Sequence, residues 1–518
     1  MNEATMPVLI GCGQVTDRRP PEEAASPIDL MAEVARKAAA DAGPGQVLLD
    51  EIDTIVAMGL TVDSEVAGLG LRGMVRNVPL AVCKQLNISP AEQWYTHEGG
   101  NTPQMLVNRY SEEISRGNAS AILLVGAEAL NTMIARLKLG MDLEAWKDDT
   151  GGEPAMLGDA RPPVSDHELA YGMQVPSVAY PLFENALRGK YGLSLEDHHR
   201  KLGALFHGFN SVAANNPLAW YPTQRSAEEI ATVSERNRYV GFPYTKYLNS
   251  VITVNMGAAV ILTSVAKARE LGVTDDRMVY LHGCADANEI WNLSERVNYY
   301  SSPAIRTLGE KALAMAGKTI QEMRYLDIYS CFPSAVQIAC DELDIPHDDP
   351  RGLTVTGGLP YFGGPGNNYV THSIATMMDK LRADPGTFGL LNANGWYITK
   401  HSMGIYSTQP IEGQWRRESP AAYQDAILSE AHPPFTESPS GHASIETYTV
   451  LHGREGVERA LVIGLLDDGT RFIAETPNDQ GTLHRMLERE MLGVRGVVST
   501  GDGKNLFVPD FGSDATDE

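Results

Sequence analysis

Residues 326–335, LDIYSCFPSA, are the stretch that decides the fold. The apolar run 325–329 predicts a buried strand, and residues 330–333 end it. Apolar residues at helical spacing follow at once, between Ala335 and Leu343. A strand that stops where a helix begins leaves polar side chains at the carboxyl edge of a sheet, which is where α/β proteins bind their ligands. We therefore predict an α/β protein with a functional site at this turn.

The same succession of elements occurs twice along the chain. In each copy a Ser-Pro pair opens a predicted helix, a glycine ends the helix, and an aspartate follows ten residues after that glycine. These positions are Ser26, Pro27, Gly43 and Asp53 in the first copy, and Ser302, Pro303, Gly317 and Asp327 in the second. A turn rich in Gly and Asn then precedes a helix and an apolar strand in both copies. The repeat predicts two βαβαβ halves packed together, and two ordinary α/β domains with chance matches are the alternative.

Length and composition limit the classes of function. A chain of 518 residues is expected to form two or three domains. Its net charge of −24 argues against a nucleic-acid partner, which needs clustered Lys and Arg. The N-terminus does not resemble a signal peptide, and no apolar run approaches the ~20 residues of a membrane span. The five scattered cysteines form no CxxC pair, so we predict no metal site, no disulfide framework and a cytoplasmic location.

Changes in residue composition and in the predicted elements along the chain suggest four regions. Residues 1–130 together with 246–272 are predicted to form the first half, and residues 273–408 the second. Residues 131–245, rich in aromatic, Pro and charged residues, are predicted to be an insertion over the sheet, where long insertions often carry binding. Residues 409–518 contain a polar connector and short predicted strands, one of them over 497–508. They predict a small β-rich domain with an OB-like fold.

The order of these elements resembles the thiolase superfamily, and most closely its sterol-carrier-protein branch. The resemblance covers about residues 5–405, and includes 254–262, VNMGAAVIL, whose Gly-Ala-Ala segment closes the first half. It implies two five-stranded sheets and helices in five αβαβα layers. It also implies coenzyme A or an acyl-CoA as the ligand, with the insertion as its cover. The chain also resembles the thiolase-like proteins of type 1, which lack the catalytic cysteines and carry an extra C-terminal domain.

The catalytic positions of a thiolase are where this chain departs from the family. The turn that should hold the nucleophilic cysteine reads EGGNTP at 98–103, and the second cysteine falls in LNANG at 391–395. The Gly-His-Pro motif appears as Gly363-Gly364-Pro365, and the His-Asp-Cys-Phe motif as YSCF at 329–332. Three of the four catalytic side chains are therefore missing. Because thiolysis and Claisen condensation proceed through a cysteine thiolate, we expect neither reaction.

Two functions stay open at this stage. One is cleavage of a C–C bond in an acyl-CoA by a retro-aldol reaction, which needs a base and an oxyanion hole but no nucleophile. Thiolase-like steroid side-chain aldolases resemble this chain in having a tyrosine at the position of Tyr329, which would be the base if its pKa were lowered. The alternative is a catalytically inactive CoA-binding or regulatory protein of lipid metabolism, in which Tyr329 is a core residue.

The resemblance implies two sets of candidate residues and no metal ligand. The candidate catalytic residues are Tyr329, Cys331, Asn392, Asn394 and His401. The candidate CoA- or substrate-binding residues are Gly99, Gly100, Asn101, Lys201, Asn255, Gly364 and Asn367. His401 is alternatively a capping or surface histidine, Asn367 a helix cap, and Lys201 part of a solvated helix face. We expect a monomer or a homodimer, since thiolases are usually oligomers but a fused domain would cover that surface.

Overall fold

The computed structural model describes residues 2–64, 73–501 and 503–512. The strands in these ranges are β1 (Pro7–Thr16), β2 (Thr54–Ala57), β3 (Glu92–Thr96), β4 (Ala121–Ala129), β5 (Ala155–Leu157), β6 (Tyr239–Gly241), β7 (Tyr244–Thr245), β8 (Asn255–Ser264), β9 (Tyr280–Asn288), β10 (Met323–Ile328), β11 (Phe388–Gly395), β12 (Lys400–Ser407), β13 (Gly441–His452), β14 (Val457–Leu466), β15 (Arg471–Glu475), β16 (Arg495–Gly501) and β17 (Lys504–Pro509). The helices are α1 (Pro27–Ala42), α2 (Gln46–Asp50), α3 (Val78–Leu86), α4 (Thr102–Arg116), α5 (Leu130–Lys138), α6 (Asp166–Ala170), α7 (Pro176–Tyr191), α8 (Leu195–Ala214), α9 (Ala227–Ala231), α10 (Val265–Glu270), α11 (Pro303–Ala316), α12 (Pro333–Glu342), α13 (Tyr369–Ala383), α14 (Gln424–Leu428) and α15 (Gln480–Glu488).

The predicted duplication is confirmed by the topology of the two central sheets. The first sheet has the order β1-β8-β4-β2-β3-β5, and the second the order β9-β12-β11-β10. In both, two neighbouring strands are parallel, β2 with β4 and β10 with β11. In both, the next strand is antiparallel to its neighbours, β8 in the first half and β12 in the second. The strands β1, β2, β4 and β8 therefore correspond to β9, β10, β11 and β12.

The two halves also share a close contact between a strand and a helix. A Cβ on Gly11 of β1 would lie 2.1 Å from the carbonyl oxygen of Ala38 in α1, and a Cβ on Gly283 of β9 would lie 2.1 Å from that of Ala312 in α11. Only glycine allows a strand and a helix to approach this closely. The same packing device is therefore present in both copies.

The expectation of five strands in each sheet is wrong for both halves. The first sheet has a sixth strand because β5, from the insertion, pairs in parallel with β3. The second sheet has four strands because residues 353–356 do not form a regular ladder with β10. The Ile328 N–H donates to the Leu353 carbonyl oxygen at 2.9 Å, but the Val355 N–H donates to the Asp327 carboxylate at 2.9 Å. A side chain thus replaces the backbone partner that a fifth strand would use.

Helices α4 and α13 lie side by side between the two sheets. α13 packs on β8 and β11, and α4 packs on β12 and β9, while α1 and α3 cover the outside of the first sheet and α11 and α12 that of the second. This gives the five αβαβα layers that the sequence predicts. Each middle helix starts directly after a glycine-rich turn, so the two N-termini bring both turns into the centre of the molecule.

The C-terminal residues form a closed barrel of five strands, as the OB-like prediction requires. Strands β13, β14, β15, β17 and β16 pair in a ring that closes between β14 and β13. The prediction of a single strand over residues 497–508 is wrong, because β16 and β17 form an antiparallel hairpin there. Strands β6 and β7 of the insertion extend the same sheet beyond β13, so the insertion and the barrel are joined.

A buried arginine fixes the barrel to the second half. Arg471 of β15 is fully buried, and it donates to both oxygens of the Glu446 carboxylate at 2.7 Å. Its remaining nitrogen donates to the carbonyl oxygens of Ser294 and Arg296. Because a buried guanidinium must be paired, this contact holds the barrel in one orientation on the core. In the part of the chain that the structure describes, no helix has the length and apolar character that a membrane crossing requires.

Candidate functional site

Four turns meet in the centre of the molecule, next to the N-termini of α4 and α13. A Cβ on Gly100 would lie 2.3 Å from the Tyr329 hydroxyl and 2.5 Å from the Asn394 carbonyl oxygen. The Gly99 N–H donates to Asn367 Oδ1 at 2.8 Å. The structure therefore brings these five predicted site residues together, although they are up to 295 positions apart in the sequence.

Tyr329 stands at the carboxyl end of β10 with its ring against that of Tyr369, at a centroid distance of 5.6 Å. Burial raises the pKa of Tyr329 well above its usual value, and the neighbouring Cys331 and Tyr369 add to this effect. The condition for Tyr329 as a base, a lowered pKa, is therefore not met. A neutral phenol donates a hydrogen bond instead, and no partner for this hydroxyl is found among the described residues.

Cys331 is the one cysteine that belongs to this cluster. The Asn394 Nδ2 atom lies 3.8 Å from its sulfur and donates to the Tyr180 hydroxyl at 3.0 Å. Burial raises the pKa of the Cys331 thiol to about 12. Since a thiolate is the reactive form of cysteine, the sulfur in this site is held in its unreactive state.

Two asparagines of β11, Asn392 and Asn394, have amide atoms that no described residue satisfies. Asn392 and Asn394 are two residues apart on the strand, so their side chains share one face. Asn392 Nδ2 and Asn394 Oδ1 are buried, and neither has a hydrogen-bond partner within residues 2–64, 73–501 and 503–512. Buried polar atoms are nearly always satisfied, and exceptions are explained by strain, by a catalytic role, or by a bound water, ion or ligand. The cluster thus offers one amide donor, one amide acceptor and one phenol.

Asn101 stands directly before α4, in the turn where the family resemblance implies a cysteine. Its Nδ2 atom donates to the Ser402 hydroxyl at 3.2 Å. Its Oδ1 atom is buried and has no hydrogen-bond partner in the described chain. The amide is uncharged at any physiological pH, so it presents a neutral carbonyl oxygen at this helix N-terminus.

Gly364 borders the cluster through Ser250. The Gly364 N–H donates to the Val251 carbonyl oxygen at 2.8 Å, and the Ser250 N–H donates to the Cys331 carbonyl oxygen at 3.2 Å. A Cβ on Gly364 would lie 3.5 Å from the Ser250 hydroxyl. The position of the family's histidine is therefore next to the site, but it contributes no side chain.

Three predicted residues serve other purposes or lie elsewhere. His401 faces Asn394 across the β11–β12 ladder, but burial lowers its pKa to about 3, which leaves a neutral ring unsuited to binding phosphate. Asn255 donates to the Asp17 carbonyl oxygen at 3.2 Å and to the Thr132 hydroxyl at 2.9 Å, neither of which belongs to the cluster. The Lys201 ammonium lies over the Tyr191 ring, 3.5 Å from its centroid, beside a separate cavity of about 450 Å³ under α8.

Sequence reasoning passed over Lys400, the first residue of β12. Its side chain reaches the turn before α4, where its ammonium donates to the Glu98 carbonyl oxygen. The residue is only 5% exposed, and burial lowers its pKa to about 8. The available signal was a lysine at the start of a buried strand, directly after a glycine turn. No group of three metal-ligating side chains is present among the described residues.

Comparisons with known proteins agree with this description of the fold. Residues 423–504 match the model of the thiolase-like protein type 1 additional C-terminal domain. The crystal structure of a monomeric SCP2-thiolase-like protein type 1 from Mycobacterium smegmatis is 34% identical in sequence, with a TM-score of 0.84. That comparison covers 98% of this chain and 100% of the relative. The chain belongs to the SCP2-thiolase-like protein type 1 family.

More distant structures share the fold of this SCP2-thiolase-like protein. The Ltp2-ChsH2(DUF35) aldolase is 17% identical, with a TM-score of 0.55 over 78% of this chain and 98% of its own. An acetyl-CoA acetyltransferase from Syntrophomonas wolfei is 15% identical, with a TM-score of 0.55 over 78% of this chain and 100% of its own. At these identities the likeness concerns the thiolase fold alone. No curated protein sequence matches the chain.

Proposed function

We propose that this protein binds an acyl-CoA in the cluster around Tyr329 and performs neither thiolysis nor Claisen condensation. The observation that carries the proposal is the pair of buried amide atoms, Asn392 Nδ2 and Asn394 Oδ1, that have no partner among the described residues, on the strand whose Asn394 backbone meets Gly100 together with the Tyr329 hydroxyl. A thioester carbonyl accepts hydrogen bonds, and a hydroxyl on the acyl chain donates one. A hydroxyacyl thioester therefore complements this set of one amide donor, one amide acceptor and one phenol.

The cavity under α8 supports the insertion as the cover of this ligand. It is lined by Lys201 and Phe209 of α8 and by Thr354 of the second half. A Cβ on Gly358 would lie 2.7 Å from both the Phe209 ring and the Ser330 hydroxyl. Phe209, which lines the cavity, and Ser330, the residue after Tyr329, therefore pack against the same glycine. An acyl-CoA lying under α8 would direct its thioester toward the cluster.

Cleavage of a C–C bond is the second candidate function. It is favoured by the phenol and the amide donor, which would stabilise an enolate oxygen without a covalent intermediate. The fold likeness to an aldolase adds to this support. Because the pKa of Tyr329 is raised, the phenol would act as a hydrogen-bond donor in this reaction, and another group would have to be the base.

Titration calorimetry with CoA, acetyl-CoA and a 3-hydroxyacyl-CoA tests the main proposal. We expect binding of the hydroxyacyl thioester, and we expect Asn392→Leu, which keeps the shape but removes the donor, to weaken it about tenfold, or ~1.4 kcal/mol. Asn118→Leu is the matched control, because Asn118 bonds to Glu113 on the exposed end of α4. Equal weakening by both substitutions, or no binding by wild type, would overturn the proposal.

Product analysis of the same mixtures separates the two candidates. Release of a shorter acyl-CoA from the 3-hydroxyacyl-CoA would establish the lyase, whereas binding without product would establish the inactive binder. Substantial turnover of acetoacetyl-CoA with CoA would contradict the absence of thiolysis.

A further inference from the structure

Lys400 is a buried cation without an ion pair in the described ranges of the chain. It is 5% exposed, and the acceptor of its ammonium is a backbone carbonyl oxygen, that of Glu98. Lysines are almost never fully buried unless a carboxylate pairs with them. A lysine kept in such surroundings is easily deprotonated, and a neutral amine is a nucleophile.

The Lys400 amine and the Asn101 amide oxygen lie close together against Gly99. A Cβ on Gly99 would lie 2.8 Å from Lys400 Nζ and 2.9 Å from Asn101 Oδ1, so only a residue without a side chain lets both atoms pack here. Asn101 is 7% exposed, and its Oδ1 has no hydrogen-bond partner among the described residues. An amine and an acceptor oxygen that is unsatisfied within the described chain therefore face the same side of Gly99.

A cavity open to solvent is lined by both residues. It has a volume of about 220 Å³ and is lined by Lys400 and Asn101, together with Asp159, Asp286 and His97. It shares His97 and Asp159 with a larger neighbouring cavity of about 810 Å³, and it shares no lining residue with the cavity under α8. A cavity of this size admits a short carbonyl compound.

We propose that Lys400 forms an imine with a small aldehyde or ketone that enters this cavity. The neutral amine attacks the carbonyl carbon, and one N–H proton moves to the carbonyl oxygen. The hydroxyl of the resulting carbinolamine donates to Asn101 Oδ1. The C–O bond then breaks, the hydroxyl takes the second N–H proton of the amine and leaves as water, and the C=N bond takes the place of the C–O bond. The inference is independent of acyl-CoA binding.

Acetylacetone tests the proposal, because a 1,3-diketone traps a neutral lysine amine as a stable enaminone that absorbs in the near ultraviolet. The wild-type protein should gain one probe molecule less one water, and peptide mass spectrometry should place it on Lys400. With a pKa of about 8 instead of 10.5, Lys400 holds roughly 300-fold more neutral amine at pH 7 than an ordinary lysine. Its labelling rate should therefore level off above pH 8.

Four variants make the test specific. Lys400→Met and Lys400→Arg should lose the label, and Gly99→Ala should slow labelling because its methyl group would displace the Lys400 amine and the Asn101 amide from their positions. Lys311→Met, which removes an exposed lysine paired with Glu418 at 2.8 Å, should label like wild type. Circular dichroism checks that each variant is folded. Labelling that persists in Lys400→Met, spreads evenly over other lysines, is unaffected by Gly99→Ala or does not occur would overturn the proposal. Failure of acyl-CoA binding alone would leave it standing.

Discussion

The reactivity of Cys331 toward iodoacetamide tests the claim that the site holds no thiolate. The reagent attacks the thiolate, so its rate follows the thiolate fraction at each pH. Burial raises the pKa of Cys331 from 9.0 to about 12. Each pKa unit changes the thiolate fraction tenfold below pH 9, so the folded protein should react about a thousandfold more slowly at Cys331 than the unfolded chain.

The pH dependence distinguishes a raised pKa from simple exclusion of the reagent. If the pKa is raised, the rate should increase about tenfold per pH unit through pH 10 without levelling off. If the reagent is excluded, the rate should follow rare opening of the structure and approach a plateau near the pKa of an unfolded cysteine. The rates are measured by peptide mass spectrometry in native buffer and in concentrated urea.

The substitution Cys331→Ser is the control that assigns the slow or fast phase to this sulfur. Burial raises the pKa of Cys83 to about 12 as well. The part of the alkylation signal that Cys83→Ser removes therefore shows whether a second buried thiol reacts as slowly as Cys331. Alkylation of Cys331 in the folded protein at neutral pH, at the rate of the unfolded chain, would refute the reasoning. It would mean that a thiolate forms next to Asn394, and that acyl transfer to cysteine is chemically possible.

Three further substitutions follow from the same structure. Tyr329→Phe removes a hydroxyl for which no hydrogen-bond partner is found in the described part of the chain. The free energy of unfolding from calorimetric melting should therefore change by less than about 1 kcal/mol while acyl-CoA affinity falls; a large destabilisation would mean that the hydroxyl has a partner. Arg471→Met leaves the Glu446 carboxylate unpaired and should cost about 3 kcal/mol or more in urea unfolding, and no loss would contradict its role as the joint. Burial raises the pKa of Glu128 from 4.5 to about 7, so the folded state keeps a proton that the unfolded chain releases. Stability should therefore fall by about 3 kcal/mol between pH 4.5 and 7, and Glu128→Gln should remove that slope.

Local signals in the sequence predicted many elements to the residue. The helix over Pro27–Ala42 begins after Ser26, whose side chain forms a capping box with Asp29, and it ends at Gly43 in a left-handed conformation. The helix over Pro303–Ala316 likewise begins after a capping serine, Ser302, and ends at a glycine, Gly317. This shared pattern is why the repeat was visible in the sequence. These features depend on neighbouring residues alone, and such features can be derived from one sequence.

Features that depend on distant contacts were beyond the sequence. The pairing of β6 with β13 joins Gly241 to Leu451, two residues with no common local signal. The irregular strand in the second half depends on the Asp327 side chain, which accepts a hydrogen bond from the Val355 N–H, 28 residues further along the chain. The hairpin within 497–508, by contrast, has a local signal that the single-strand prediction overlooked, the Gly-Asp-Gly sequence at 501–503.

Motif order was sufficient to assemble the site, but not to assign chemical roles. The turns at Gly99, Tyr329 and Asn394 meet as the family resemblance implied. The roles depend on burial, which a sequence does not give. Burial makes Tyr329 a weaker acid and His401 a weaker base, and it lowers the pKa of Lys400 to about 8. The charge states at this site are therefore set by the packing of the two halves around it.

The duplicated turns before α4 and α13 differ in the hydrogen bonds that their asparagines make. In the second half, Asn367 uses both ends of its amide, since its Oδ1 accepts from the Gly99 N–H and its Nδ2 donates to the Gly59 carbonyl oxygen. It thereby ties the second half to the first, as does the Asn368 amide by donating to the Gly126 carbonyl oxygen. In the first half, the Asn101 oxygen is left without a partner among the described residues. Because one copy of the turn already holds the halves together, the Asn101 oxygen of the other copy remains available for the hydrogen bond from the proposed carbinolamine.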